Sequence, residues 1–522
     1  MAAFRRKGSI SVFLSLLLVF LLVFSLVLLE SARINSIRYA DASAGNAAVK
    51  SIEASFIRQL FDEYGILLYD GGQGSGWINE EAIEAQIRDY YTLNRSPQAI
   101  FGDSFLRGSP FRIQLLEMIS ATDYRGAGFI RNAAAYYPYE AAGEVLAMIR
   151  EELGLFGKGD AAKSDADGKD AEREDTDWGG FFAVLGDGHN GKVPGRKTLK
   201  QMSEAESGGI TDDSADGNDF DEERYEDAIE ESVIGDADEV RAKGWLSLVI
   251  PAGTAISGRT LDTDDLPSLC ARDERMPDEP AGWMDKIAFQ EYLLSTFSNY
   301  LEKKRDDTMQ YEVEYMLAGK DSDEANLKAV LERIIWMREG MNILYLYGSP
   351  VRREEAMAMA AALTGWAGIP LLTILTQASL IAAWAYAESI LDVRTLVKGK
   401  KVPIMKTDES WTLTLAQTPG FLKGNAMEAK SSEVGMDYQG FLRLLLYLKD
   451  SEDLAYRAMD MIQTYLRRYD GSFCMANALC SMRVRITSET APLFSALPLV
   501  RQWISGKEGN YFLSSDYIIS YQ

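Results

Sequence analysis

The chain opens with an uncharged apolar run from Gly8 to Leu29. At about 1.5 Å of rise per residue, a helix over this run is roughly 30 Å long, which matches the hydrocarbon core of a bilayer. A cleavable signal peptide has a shorter apolar run and small residues soon after it. Here Glu30-Ser31-Ala32-Arg33 follows the run. The pattern favours a retained transmembrane anchor over a cleaved signal peptide or a buried core helix.

The orientation of such an anchor is set by the basic residues beside it. Three of them come directly before the run, namely Arg5, Arg6 and Lys7. By the positive-inside rule this end stays in the cytoplasm, so residues 31–522 are expected outside the cell membrane. The positions expected in the lipid include Gly8, Phe13, Leu18, Leu22 and Leu29.

A second apolar pattern follows the anchor at three- and four-residue spacings, and no proline interrupts it before Gly65. The pattern predicts an amphipathic stalk helix over 31–65 that ends at this glycine. A membrane helix that continues into an amphipathic one is the layout of pilin-like subunits. The stripe is expected either to pack on the domain that follows or to dock a partner protein. Its candidate docking residues are Ile34, Ile37, Ile52, Phe56 and Leu60.

Residues 66–156 alternate between short apolar runs and helical patterns, which predicts a small α/β block. Its expected elements are a strand at Ile66–Asp70, a helix at 79–92 with Asn79 as N-cap, a strand at Phe111–Asp123 and a helix at 128–153.

Residues 157–243 are rich in acidic residues, glycine and serine and poor in branched apolar residues. Such a segment buries too little surface to offset the entropy of ordering it. We expect a disordered acidic linker, with a short helix around 221–233.

Residues 244–522 predict a larger, mainly helical domain with a few strands, so that the whole chain has the α+β class. The expected helices are 286–304, 323–345, 352–364, 371–391, 435–449 and 453–468. The expected strands are 245–251, 310–317, 482–487 and 511–521. The stretch 356–387 is uncharged, and it fits either a buried core helix or a second membrane span.

Composition narrows the classes of function. The net charge of -24 argues against nucleic-acid binding, which needs clustered cations. The single histidine, His189, removes most catalytic triads and most zinc sites. Three cysteines do not build a disulfide scaffold, and Cys474 and Cys480 are expected either to pair or to be buried thiols.

Two loop motifs are weak matches. Oxygen ligands at Asp212, Ser214, Asp216 and Glu223 have the spacing of a calcium loop, but acidic tracts produce this spacing by chance. GDGHNGK at 186–192 resembles a phosphate-binding loop, but Val193 stands where Ser or Thr should hold magnesium. No pair of carboxylates stands out as a hydrolase site. We therefore expect no cofactor and identify no catalytic residue and no small-molecule substrate.

Four segments carry a resemblance to known families. GSISVFLSLLLVFLLVFSLVLLESAR (8–33) resembles the N-termini of TadE- and TadG-like proteins of tight-adherence pilus systems. YEVEYMLAGKDSDEANLKAVLERI (311–334), AWAYAESILDVRTLVKGKKVPIMKT (383–407) and MDYQGFLRLLLYLKD (436–450) resemble the bacterial domain of unknown function 5702 family. The resemblance covers about 8–70 and 245–490 and implies a cell-surface role near pilus or secretion machinery, without any activity.

One position departs from the pilin pattern. Prepilins processed by their peptidase usually have a glutamate five residues after the cleavage-site glycine, and counting from Gly8 that position is Phe13. We therefore expect a stationary, single-pass, extracytoplasmic structural or binding component with protein partners in a tight-adherence-like pilus or surface-secretion system. The alternative is an extracytoplasmic carboxylate-dependent hydrolase that acts on envelope polymers.

Overall fold

The computed structural model describes residues 7–95, 110–137, 221–250, 253–276, 282–306, 308–430, 432, 435–501 and 509–521. The chain has the expected α+β class, with a long N-terminal helix, a small antiparallel sheet and a mainly helical remainder. It divides into two compact units. Unit 1 comprises Met1–Tyr136, Asp265–Lys286 and Ile462–Gln522, and unit 2 comprises Tyr137–Asp264 and Ile287–Met461.

The elements are numbered here in chain order. The helices are α1 (Lys7–Glu53), α2 (Arg58–Tyr64), α3 (Glu80–Arg95), α4 (Ala127–Tyr136), α5 (Glu222–Glu230), α6 (Val233–Lys243), α7 (Leu246–Val249), α8 (Trp283–Thr296), α9 (Glu312–Ala318), α10 (Asp323–Gly348), α11 (Pro350–Thr364), α12 (Pro370–Leu396), α13 (Thr418–Leu422), α14 (Tyr438–Leu448), α15 (Ser451–Leu466) and α16 (Pro498–Arg501). The strands are β1 (Tyr69–Asp70), β2 (Phe111–Ser120), β3 (Ala478–Thr490) and β4 (Tyr511–Ser520).

Unit 1 is built on a sheet whose strands come from both ends of the chain. Strand β3 pairs antiparallel with β2 along one edge, and with β1 and β4 along the other. Ile486 lies opposite Ile113 in β2, and Met482 lies opposite Ile519 in β4. Alternate residues of β3 are buried, as the period of a strand with one covered face requires. The two strands expected at 482–487 and 511–521 are therefore confirmed.

The second half of α1 and helix α3 cover this sheet. Asn79 caps α3 as expected, because its Oδ1 accepts the amide N–H of Ala82 at 3.1 Å. Their shared core consists of Ala44, Ala48, Ile52, Tyr69, Ile83, Ile87, Tyr91, Ile113, Leu479, Met482, Val484, Ile486 and Ile519.

The single helix expected to run to Gly65 is interrupted. Helix α1 ends at Glu53, and α2 begins at Arg58. Between them Phe56 forms a β-bridge with Tyr69, and the amide of Ile57 donates to the carbonyl of Leu68 at 2.9 Å. These pairings with the following strand replace helical hydrogen bonds, so tertiary contacts override the continuous pattern. Gly65 does end α2 in the left-handed conformation, with a φ of 69°.

Unit 2 is centred on the long helices α10 and α12, against which α11 and α6 pack. The helices expected at 323–345, 352–364, 371–391, 435–449 and 453–468 are present as α10, α11, α12, α14 and α15. The helix expected at 286–304 is shorter, because α8 ends at Thr296.

Two strands expected in this region are helices. The apolar run at 245–251 contains the short helix α7. The strand prediction failed here because a short apolar run is compatible with either a strand or a helix. The alternating stretch at 310–317 contains α9, and its acidic residues Glu312 and Glu314 are fully buried instead of facing solvent. Their carboxylates accept backbone N–H groups from residues Ser298 and Tyr300, so both faces of the segment are covered.

The end of the acidic stretch is ordered. The short helix expected around 221–233 is present as α5, and α6 follows with Val233, Ile234 and Val240 buried. Residues 157–220 of the acidic linker, together with His189 and the loop at 186–192, lie outside the described residues, as does the second half of the helix expected at 128–153. Cys474 and Cys480 do not form a disulfide.

Candidate functional site

The first half of α1 presents an apolar surface to its surroundings. Among the described residues, two helices are long and apolar enough to cross a membrane by length and composition, namely α1 from Ile10 and α12. The most apolar window of α1 is only 6% buried, whereas that of α12 is 50% buried. The expected anchor residues Phe13, Leu18, Leu22 and Leu29 are exposed, and Gly8 lies in the first turns of the helix.

A polar clamp closes the end of the apolar run. Glu30 is 4% exposed, and its carboxylate accepts the side-chain N–H groups of Arg33 at 2.9 and 3.2 Å. The same carboxylate accepts the backbone amides of Leu493 and Phe494, each at 3.1 Å. Arg33 also donates to the carbonyl of Ala491 at 2.7 Å. The Glu-x-Ala-Arg pattern therefore holds the segment that follows β3 against α1.

Beyond the clamp, α1 contacts α3 and the C-terminal strands at three further positions, Asp41, Gly45 and Ile52. Asp41 accepts Arg95 at 2.8 Å and also accepts the hydroxyl of Ser488. Gly45 leaves room for Tyr517 of β4, since a Cβ there would lie 2.2 Å from the phenol oxygen. The phenol of Tyr521 donates to the carbonyl of Ile52 at 3.0 Å. The second half of α1 is thus an integral part of unit 1.

Three of the five residues proposed for docking a partner are buried, and Ile52 belongs to the core shared with the sheet. Ile37, Ile52 and Leu60 are buried, whereas Ile34 and Phe56 are half-buried. Of the two alternatives for the stripe, packing on the following domain is therefore observed for its buried members. Partner docking stays a prediction.

The remaining expected site residues are less informative. Arg5 and Arg6 lie outside the described residues, and Lys7 is the first residue of α1. Asp212, Ser214 and Asp216 also lie outside them, whereas Glu223 is in α5. Within the described part of the chain, no three His, Cys, Asp or Glu residues are grouped as metal ligands would be.

A cleft of about 350 Å³ lies in unit 1 between α1, β3 and β4. Its polar lining includes Arg38, Asp41, Tyr91, Ser488 and Tyr517. The one carboxylate in this lining, Asp41, is engaged by Arg95 and Ser488. The cleft therefore does not offer the two carboxylates that glycoside hydrolysis uses.

Unit 2 contains a buried carboxyl group with a shifted pKa. The phenol of Tyr438 donates to Glu314 Oε1 at 2.7 Å, and the amide of Tyr300 donates to the same oxygen at 2.9 Å. Burial raises the pKa of Glu314 to about 7, although these hydrogen bonds oppose the change. Burial also raises the pKa of the Tyr438 phenol well above its ordinary value. Because Glu314 is fully buried, this raised pKa is not in a cleft where a substrate could bind.

A second buried cluster joins α10, α12 and the loop after α12. It contains two cations, Arg338 and Lys406, and two carboxylates, Glu388 and Asp392, all at most 4% exposed. Lys406 Nζ lies 2.6 Å from Glu388 and 2.7 Å from Asp392, and Arg338 lies 2.8 Å from Asp392. The sequence places Glu388 and Asp392 one turn apart on α12, but no local spacing connects them with Arg338 or Lys406, so the cluster was not predicted.

The segments that carry the family resemblance contain most members of these two clusters. Glu314 lies in 311–334, the residues Glu388, Asp392 and Lys406 lie in 383–407, and Tyr438 lies in 436–450. Segments 311–334 and 436–450 therefore meet through Glu314 and Tyr438, whereas the charged residues of 383–407 pair with one another and with Arg338.

Of three comparisons with known proteins, one found a match, and it covers the part of the chain that carries these segments. No curated protein and no solved structure matches the chain. A model of a family of unknown function, DUF5702, matches residues 223–490. The match begins inside the acidic stretch instead of at 245, and residues 8–70 lie outside it. Since it spans more than half of the 522 residues, the chain belongs to the DUF5702 family of unknown function.

Proposed function

We propose that this protein is a stationary, single-pass membrane component of a tight-adherence-like pilus or surface-secretion system, with a structural or binding role. Its N-terminus lies in the cytoplasm, residues 8–29 span the membrane, and residues 31–522 lie outside the cell membrane. The observation that carries the proposal is the division of α1 into an exposed apolar half and a half built into unit 1. One rigid helix thereby attaches a folded domain directly to the bilayer.

The apolar half of α1 is suited to permanent residence in lipid. Residues 10–29 extend about 30 Å, the thickness of the hydrocarbon core. Ser15 donates to the carbonyl of Val12 at 2.9 Å, and Ser25 donates to that of Leu21 at 2.8 Å. These hydroxyls are satisfied within the helix, so they do not require a neighbouring subunit. Burial of about 20 apolar residues makes such insertion effectively irreversible.

The clamp at the end of the run supports a stationary role as well. A pilin subunit leaves the bilayer more readily when its helix carries an acidic group that a neighbour satisfies. Glu30 is the first acidic residue of this chain, and its carboxylate is already held by Arg33, Leu493 and Phe494 of the same unit. It therefore has no need of a second subunit.

We assign α12 to the core of unit 2 instead of to a second span. Its second half is buried and carries Glu388 and Asp392, which are paired with Lys406. A charged pair of this kind is expensive in hydrocarbon and is tolerated inside a packed domain.

Topology can be tested in intact protoplasts. Cys270 is exposed and Cys480 is buried, so a membrane-impermeant thiol reagent should label Cys270 and spare Cys480. Added protease should also digest residues 397–522. Complete protection of 397–522 with labelling of Cys270 would instead make α12 a second span. An unlabelled Cys270 that reacts after the cells are lysed would contradict the orientation.

The role in an assembly is tested by fractionation and cross-linking in cells with intact pili. The protein should stay in the membrane pellet at low copy number and cross-link to assembly components. Ile34→Asp should weaken these cross-links without release from the membrane, whereas Ser36→Asp, on the other side of the helix, is the matched control. High copy number in sheared filaments, with a new N-terminus at Ser9, would overturn the stationary role.

A further inference from the structure

In the buried cluster of Arg338, Lys406, Glu388 and Asp392, the amine of Lys406 lies next to the carboxyl group of Asp392 at a site shielded from solvent. Lys406 is 4% exposed and Asp392 is fully buried. Lys406 Nζ lies 2.7 Å from Asp392 Oδ1, yet this oxygen accepts no hydrogen bond of acceptable direction. Buried polar atoms normally have such a partner, so this one calls for an explanation.

Other groups surround these two atoms in the arrangement that acyl transfer requires. Lys406 donates to Glu388 Oε1 at 2.6 Å, which puts a second carboxylate on the amine itself. The other oxygen of Asp392, Oδ2, accepts Arg338 at 2.8 and 3.0 Å and Asn342 at 3.3 Å. These donors point at the atom on which negative charge develops when a nucleophile adds to the carboxyl carbon.

The surroundings exclude water from the cluster. Trp384 and Trp411 are almost completely buried, and the Trp411 ring centroid is 6.0 Å from Lys406 Nζ. In such a medium the hydrogen bonds that Arg338 and Asn342 donate to Asp392 Oδ2 are stronger than they are in water.

We propose that Lys406 and Asp392 become joined by an intramolecular isopeptide bond, with Glu388 as the proton carrier. Glu388 takes a proton from Nζ, and the amine then adds to Cγ of Asp392. The resulting oxyanion on Oδ2 is stabilised by Arg338 and Asn342. Glu388 gives its proton to Oδ1, takes a second proton from the nitrogen that has added, and gives this one to Oδ1 as well. The Cγ–Oδ1 bond then breaks, one water molecule leaves, and Glu388 is again ionised.

The reaction is balanced and needs no further reactant. One ammonium and one carboxylate become one amide and one water, and no electrons are exchanged. Before the reaction the cluster contains two cations and two anions, and afterwards Arg338 and Glu388 remain as one of each. The reaction also removes Oδ1, the oxygen that lacks a directed hydrogen bond. Arg338 favours the ionised form of Asp392, which slows the addition, but it is also the main donor to the oxyanion.

The test is peptide mapping of the full-length protein after denaturation and trypsin digestion. Trypsin does not cleave after an acylated lysine, so residues 354–394 should be recovered joined to residues 402–423. The joined peptide should be lighter than the sum of its parts by one water. Recovery of 354–394 and 402–406 as separate peptides would overturn the proposal, and Lys406 and Asp392 would then be a salt bridge alone.

Two variants and one internal control sharpen the measurement. Lys406→Arg keeps the buried cation but lacks a nucleophilic amine, so the joined peptide should disappear. Glu388→Gln keeps the size of the proton carrier and should reduce the joined fraction at least tenfold. An unchanged fraction in this variant would refute the role of Glu388. Lys449 and Asp453 lie at 2.8 Å but are partly exposed, and they should remain unjoined in every sample. Joining of this exposed pair would show that the cross-link forms during handling.

Discussion

Replacement of Ile52 by alanine tests whether the second half of α1 belongs to unit 1. Ile52 is completely buried in the core that α1 shares with the sheet. The substitution removes three carbon atoms, which at about 0.8 kcal/mol each is about 2.4 kcal/mol, and the residual cavity adds to this. The free energy of local opening should therefore fall by about 2–5 kcal/mol.

Amide hydrogen exchange of the full-length protein in detergent measures this change where it acts. A fall of about 2.4 kcal/mol should speed exchange in β3 and β4 by about 60-fold. Tyr39→Ala is the matched control, because Tyr39 is on the same helix and 79% exposed. Its effect should stay within about 0.5 kcal/mol, or about twofold. If Ile52→Ala also changed exchange by no more than twofold, α1 would not pack on the sheet and its stripe would be free for a partner.

Three further predictions concern single side chains. Gly45→Ala should destabilise unit 1 by about 1–3 kcal/mol, because the new Cβ would lie 2.2 Å from the phenol oxygen of Tyr517, although alanine by itself favours a helix over glycine by about 1 kcal/mol. Hydrogen exchange in β4 measures this change, and a stabilised variant would contradict the close contact. The pKa of Glu314 is raised from 4.5 to about 7, so its contribution to the stability of unit 2 is fully present below pH 4.5. About 3 kcal/mol of the free energy of unfolding is then lost as the pH rises from 4.5 through 7. Urea unfolding followed by tryptophan fluorescence should show this fall in the free energy of unfolding, and Glu314→Gln should flatten it; an equal slope in both proteins would rule out Glu314 as the source. Burial raises the pKa of the Cys480 thiol to about 12, so iodoacetamide at pH 8 should modify the exposed Cys270 and spare Cys480 until denaturant is added; equal rates in the native protein would show that β3 opens readily.

The sequence alone predicts features that depend on residues close to one another along the chain. The apolar run of α1 is visible because its length matches a bilayer, and its interruption by charge begins at Glu30. The N-cap at Asn79 was predictable because the capping bond to Ala82 joins residues three apart. Strands β3 and β4 were predictable because the alternation of more and less buried residues along a strand repeats every two residues.

The tertiary structure decided the features in which polar groups find partners far along the chain. The alternation at 310–317 predicts a strand, but the segment forms α9. Its buried carboxylates accept hydrogen bonds from the amides of Ser298 and Tyr300, and no local sequence pattern identifies these donors. Glu30 binds residues more than 450 positions away, and the lysine–carboxylate cluster joins α10, α12 and the loop after α12. A periodic pattern reports which residues are apolar, whereas the burial of a charge depends on donors that only the folded chain brings within hydrogen-bond distance.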